Sequence, residues 1–221
     1  MSWPPFPWRL RPAGPAFGTV HAVDAAAARA LVPRPFRIVK PWPGRTLGGL
    51  FLVRYGPGSA VEYNELVACA GVVLHEGRPC AWVSHVFVDD ATSLRGGREG
   101  LGVPKQMARF EASGAETTVV AADGVVCTIR CRRPLRLWRS RFRFRAAHLD
   151  VRDDTGSCAT VHGNEIAGRI VAGRAEVRIP VGSPLRVLGL GRPLLAAGLV
   201  DAEALFGGAP FLPARTIALD A

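Results

Sequence analysis

Apolar and polar positions along this chain fall mainly in the short alternating or continuous runs of β-strands, not at helical spacing. Residues 36–39, 46–55, 63–74 and 80–88 are four such runs, separated by turn signals at Gly44, Gly56-Pro57-Gly58 and His75-Glu76-Gly77-Arg78. Residues 117–120, 124–131, 135–145 and 175–180 continue the pattern. Helical signals are few. Asp24 is an N-cap for residues 25–31, which stop at Val32-Pro33-Arg34-Pro35. A second short helix is predicted from Gln106, and a third near residues 201–205 in the small-residue tail. The lead-in from Trp3 to Arg9 is too proline-dense for a helix. Residues 89–102 read as a polar, glycine-rich loop. With no internal repeat and no sustained strand–helix alternation, the pattern predicts one α+β domain over 1–221, mainly antiparallel β with a few short helices.

Composition narrows the setting. The 221 residues are 48% hydrophobic and 21% charged, as in ordinary globular domains, and no apolar run approaches the ~20 residues of a spanning helix. The N-terminal segment lacks the charged start and apolar stretch of a secretion signal, so a cytoplasmic protein is expected. Cys69, Cys80, Cys127, Cys131 and Cys158 are odd in number and lack paired metal-ligand spacing. They predict buried thiols, with no disulfide framework, metal or cofactor.

The net charge of +10 raises nucleic acid as a partner, yet the 28 basic residues are 26 arginines and two lysines, Lys40 and Lys105. An arginine cannot give up its proton near neutral pH, whereas a lysine can. A lysine retained in such a chain therefore points to a role that needs an amine. The densest arginine stretch places Arg139, Arg141, Arg143 and Arg145 on one strand face, with Trp138, Phe142 and Phe144 on the other. Aromatics on the opposite face are expected to be core, not base-stacking platforms. No nucleic-acid partner is expected; the arginines read as a solvated or subunit-interface face.

The chemistry concentrates in Gly97-Arg98-Glu99-Gly100-Leu101-Gly102-Val103-Pro104-Lys105-Gln106. Pro104 fixes its own φ and biases Val103 to an extended form, so the approach to Lys105 is stiff. An apolar pocket would disfavour the ammonium form of such a lysine, and a neutral amine attacks a carbonyl to form an imine, an electron sink.

Gly97-Arg98-Glu99 followed by Val103-Pro104-Lys105 resembles the signature around the imine-forming lysine of acetoacetate decarboxylases. Tyr63-Asn64-Glu65 resembles that family's Tyr-Thr-Glu segment, and Asp24 with Leu31-Val32-Pro33-Arg34-Pro35-Phe36 resembles its N-terminal helix and exit. The resemblance covers roughly residues 15–115. It implies a β-barrel or cone with a few short helices, Lys105 and Glu65 as the catalytic pair, and homo-oligomers. Three departures stand out. Gln106 replaces a second lysine, the carboxylate-binding arginine falls near Ala22, and the 46–51 stretch has no acid where a second glutamate is implied. Residues 46–52, 63–67 and 80–83 look more like the branch that includes plant neoxanthin-deficiency-type proteins. The expected substrate-binding residues are Tyr63, Arg98, Glu99 and His85; the last sits on a strand whose alternate residues should face the cavity, and reads more commonly as a satisfied core histidine. Arg98 and Glu99 read equally well as an ion pair holding the loop, and Asp89-Asp90 as loop caps. Two functions follow: a lysine Schiff-base enzyme acting on a keto acid or related carbonyl compound, or a non-catalytic protein binding an apolar molecule such as an isoprenoid or carotenoid.

Overall fold

The structure is a computed structural model that describes residues 3–208 and 212–219; the ends of the predicted single domain and residues 209–211 lie outside it. In chain order come β1 (Trp8–Leu10), β2 (Ala16–Asp24), α1 (Ala25–Arg29), β3 (Arg37–Ile38), β4 (Arg45–Tyr55), β5 (Tyr63–His75) and β6 (Arg78–Val88). Then follow α2 (Ala91–Arg95), β7 (Lys105–Ser113), β8 (Glu116–Ala121), β9 (Gly124–Leu149), β10 (Cys158–Arg178), β11 (Leu195–Phe206) and β12 (Arg215–Ala218). This is the expected mainly antiparallel α+β architecture.

The sheet closes on itself. Antiparallel pairings run β2–β4–β5–β6, then β9–β10–β11 and back to β2. A parallel contact of Ala81 with Ala146 and Trp82 with Ala147 joins β6 to β9 and completes the ring. The strands β7 and β8 bridge β6 to β9 a second time and close a smaller loop beside it. Closure removes edges that would otherwise carry unpaired backbone groups.

The β5 strand shows how sequence meets this architecture. Glu65, Val67 and Cys69 line the ring's interior cavity, while the alternate residues Leu66, Ala68 and Ala70 are fully buried in the main core. A strand buried on both faces needs an almost continuous apolar run, as residues 63–74 supply. On the core side Phe36 packs on Trp82 at 4.8 Å between ring centroids. The Trp82 indole N–H donates to the Leu31 carbonyl at 2.9 Å, and Arg29 donates to the carbonyls of Val32, Pro33 and Phe36. The proline-rich exit from α1 is thus fixed to the barrel wall.

Several predicted elements differ. The segment after Lys105 is strand β7, not a helix: parallel pairing with β6 and antiparallel pairing with β8 capture it, overriding the modest helix preference of Gln106, Met107, Ala108 and Arg109. Residues 201–205 belong to β11, held between β1 and β10. The stretch expected to be loop contains α2, capped by the Asp90 carboxylate on the Ser93 N–H at 2.7 Å, and a π-helical turn, Gly96–Gly100. The lead-in supplies β1, and β2 follows. Finally, Trp138, Phe142 and Phe144 are not core: they are 65%, 44% and 37% exposed. At their level β9 pairs only with β10, and Phe142 and Phe144 border the cavity, Phe144 edge-on to Phe206 of β11.

Candidate active site

Lys105 opens β7 opposite Val86 of β6. The loop before it is tightly held: the Val103 N–H donates to the Gly97 carbonyl at 2.9 Å, and the Val151 N–H to that of Gly102 at 2.9 Å. Gly102 has φ +72° and lies against the Asp150 carboxylate, where a Cβ would collide. Asp150 is itself anchored, accepting from Arg152 and from the Thr160 hydroxyl at 2.8 Å. Burial alone would raise its carboxyl, but these hydrogen bonds outweigh burial and hold it well below the usual carboxylate range. Gly97 has a different task. A Cβ there would sit 2.5 Å from Lys105 Cδ and 2.7 Å from Cε, so the lysine chain lies flat across a glycine that leaves it room.

The amine is led into the ring. Lys105 is 5% exposed and Glu65 7%, and Lys105 Nζ lies 3.1 Å from Glu65 Oε1 and 2.9 Å from Ser93 Oγ. It also lies over the rings of Tyr63, 4.8 Å from the centroid, and Trp8, 5.4 Å away. Tyr55 and Tyr63 each donate a hydroxyl to Glu65 at 3.4 Å. Burial first, then the Glu65 charge, pushes both phenols well above their ordinary value, so they remain donors. The ion pair is therefore surrounded by partners that satisfy it, a requirement for charges this far from water.

The rest of the cavity is mostly aliphatic and aromatic. Its volume is about 440 Å³, with Phe51, Val67, Val83, Val86, Leu101 and Ile166 among its walls. From the 46–51 stretch only Phe51 reaches the lining, and no arginine does among the described residues. Cys69 also lines it, but burial pushes its thiol up to about 12. None of the five cysteines is in a disulfide, and no cluster of three metal-ligating side chains occurs among the described residues.

The expected site residues thus divide. Lys105, Glu65 and Tyr63 come together on the cavity wall. Arg98 does not reach it; its guanidinium donates to the Lys105 carbonyl at 3.1 Å and so braces the loop. Glu99 is exposed on the π-helical turn and pairs with no arginine among the described residues, so the expected Arg98–Glu99 ion pair does not form. His85 is also absent from the lining. The pairing of β5 with β6 shifts between Ala68–His85 and Cys69–Val83; this irregularity turns Val83 and Val86 inward and moves His85 off the alternation that strand periodicity implied. His85 instead stacks against Phe87. Asp89 accepts from the backbone and side-chain nitrogens of Asn64, and Asp90 caps α2. Arg141 and Arg143 both pair with Glu165, which neutralises part of the basic face.

Sequence reasoning missed Ser93, Tyr55 and Trp8, whose positions depend on α2, β4 and β1 converging on Lys105. It also missed His148, His162 and Asn164 on β9 and β10, which line the same cavity. Strand parity alone would have placed His148 on one face with Phe142 and Phe144, but His162 and Asn164 join that face only through the β9–β10 register.

The closed ring of strands agrees with the family comparison. The acetoacetate decarboxylase (ADC) family profile matches residues 2–155, and the chain belongs to this family. Acetoacetate decarboxylase from Legionella pneumophila superposes with TM-score 0.71 at 14% identity, covering 99% of this chain and 90% of that one. The enduracididine biosynthesis enzyme MppR, solved with pyruvate, gives TM-score 0.62 at 17% identity over 100% and 92%. At such identities the likeness is one of fold. Sequence relatives lie elsewhere: Protein NEOXANTHIN-DEFICIENT 1 of Oryza sativa subsp. japonica is 43% identical over 110 residues, 50% of this chain and 35% of that protein. Its Arabidopsis thaliana counterpart is 41% identical over 104 residues, 47% and 36% respectively. The chain spans about a third of the length of these relatives.

Proposed function

We propose that the protein is a lysine Schiff-base enzyme, of decarboxylase or aldol/dehydration type, acting on a largely apolar carbonyl compound. The observation that carries this reading is the buried Lys105–Glu65 pair, 3.1 Å apart at the wall of an apolar cavity. Transfer of a proton from the Lys105 ammonium to Glu65 leaves a neutral amine, which adds to the substrate carbonyl. Glu65 then returns the proton to the carbinolamine hydroxyl, water departs, and the iminium on Lys105 accepts the electron pair released when a carbon–carbon or carbon–hydrogen bond breaks. Ser93 and Tyr63 position the two ends of the pair. With no guanidinium among the described residues lining the cavity to hold a carboxylate, acetoacetate itself fits this site poorly.

A second reading, non-catalytic binding of an apolar molecule such as an isoprenoid or carotenoid, is favoured by the apolar lining and by the likeness to Protein NEOXANTHIN-DEFICIENT 1. Borohydride reduction in the presence of a panel of keto acids and ketones, followed by peptide mass analysis, separates the two. The enzyme reading expects a carbonyl-dependent adduct on the Lys105 peptide that Lys105→Met abolishes. Folded protein that traps no member of the panel would leave only the binding reading.

A further inference from the structure

The cavity holds a second polar group that the imine chemistry does not use. His148, His162 and Asn164 are 1%, 7% and 1% exposed, and all three line the cavity. Their rows are adjacent: Thr160 of β10 is opposite His148, and His162 is opposite Ala146. The two imidazoles are 5.5 Å apart between ring centroids.

Hydrogen bonding fixes what each member has left to offer. His148 Nδ1 lies 2.9 Å from the Leu149 carbonyl, so Nδ1 carries the hydrogen and Nε2 presents a lone pair. That Nε2 is buried without a partner. Asn164 Oδ1 accepts from the Gly207 N–H at 3.3 Å and lies 3.1 Å from His162 Nδ1. The amide orientation is thereby set, with Nδ2 as an unmet buried donor. Burial lowers the imidazoles to about 4 for His148 and, with the charge of His148 adding to burial, about 3 for His162. Near neutral pH the cluster is therefore uncharged. A carboxylate would meet a lone pair at His148 and no compensating cation. An alkyl chain would leave a donor and an acceptor unpaired, which disfavours its binding. A hydroxyl both donates and accepts, and so suits either atom.

We infer that the His148–His162–Asn164 strip is a specificity subsite for a neutral hydroxyl group carried by an otherwise apolar ligand whose carbonyl addresses Lys105. The hydroxyl half of this inference needs only that the cavity takes an apolar ligand; the carbonyl half rests on the enzyme reading above.

The test uses the whole chain and two matched series of increasing length: straight-chain ketones and their ω-hydroxy derivatives, with the corresponding alkanols and diols as carbonyl-free controls. Binding is measured by calorimetry, and imine formation separately by borohydride trapping. At the length that spans the cavity, the hydroxylated compound is expected to bind at least ~10-fold tighter than its parent, because only the parent leaves buried polar atoms unpaired. His148→Leu and Asn164→Leu should each shrink that ratio toward unity, with folding checked by near-UV circular dichroism. Asn164→Ser, which retains a donor, should keep part of it. Equal binding of both series by the unmodified protein at every length overturns the subsite, as does a preference that survives both leucine variants. Hydroxyl preference without any trapped adduct supports the subsite and removes the imine; equal trapping of both series without preference in binding does the reverse.

Discussion

Glu65 and Lys105 belong to different strands, and each needs the other: a lone carboxylate or ammonium this far from water would be strongly disfavoured. Glu65→Gln keeps the shape and the hydrogen-bonding oxygen but cannot shuttle a proton. Imine formation, followed as the rate of borohydride-trapped adduct, should fall by about 10²-fold or more, while Tyr63→Phe, which removes one donor to Glu65 and leaves Tyr55, should cost much less. A rate unchanged in Glu65→Gln would assign the proton work elsewhere. Gly97 tests the packing around the amine. A methyl group at 97 meets Lys105 Cδ and Cε, so Gly97→Ala should displace the side chain, slow trapping at least ~10-fold and destabilise the fold by about 1–3 kcal/mol. Both members of the pair were legible from the resemblance. The reason for glycine at 97 was not, because nothing in its neighbours along the chain says that a side chain eight residues later folds back over it.

At the scale of elements, the loop that presents Lys105 is fastened to the end of β9. Gly102, Asp150, Val151 and Arg152 form the joint: the Arg152 guanidinium reaches the Gly100 carbonyl at 3.0 Å, and the Gly102 carbonyl accepts from Val151. Gly102→Ala would combine an unfavourable positive φ with a collision against Asp150. Urea unfolding should show a loss of more than ~2 kcal/mol, and the Lys105 adduct should form more slowly even at temperatures where the protein remains folded. A stability equal to the unsubstituted chain would mean that the loop is free to relax, contrary to the hydrogen bonds at its two ends. Periodicity found β4, β5 and β6 because their alternation or continuous apolarity is written locally. It misread the segments after Lys105 and around residues 201–205, because there the partners, not the propensities, choose the conformation. His85 shows the same limit at finer grain. One register irregularity in β6 reverses the face on which a residue falls, and no local pattern announces it.

For the molecule as a whole, the buried imidazoles make stability depend on pH. His148 and His162 bind protons less readily in the folded state, about 4 and about 3 against an ordinary 6.5. Below pH 6.5 the unfolded chain takes up protons first, so stability is full above that value and declines as pH falls toward those folded values. Asp150 acts in the same direction over a lower window. Its folded carboxyl lies below the ordinary 3.8, and its contribution is present above 3.8 and lost as the pH drops further. The unfolding free energy from urea titrations should therefore fall steeply from pH 6.5 to 4, by an amount on the order of a few kcal/mol, and the midpoint with it. His148→Leu should flatten that slope without abolishing it, since His162 remains. A midpoint independent of pH in this range would show that the histidines are hydrated rather than sealed in the barrel.

By itself the amino-acid sequence determined what is local or collinear: a strand-rich chain, an α1 start at Asp24, a stiff glycine–proline approach to Lys105, and the ordered motifs that marked its family. It also carried the departures from the resembled motifs: Gln106 after Lys105, no arginine near Ala22 and no acid in the 46–51 stretch. Tertiary structure alone decided what depends on ring closure. A seven-strand circuit brings β5, β9 and β10 around one space, so Glu65 faces Lys105 across forty residues of chain, and His148, His162 and Asn164 share that space with them. The physical reason is that pairing register and closure are set by contacts between residues distant in sequence, whereas periodicity and turn chemistry are set within a few residues.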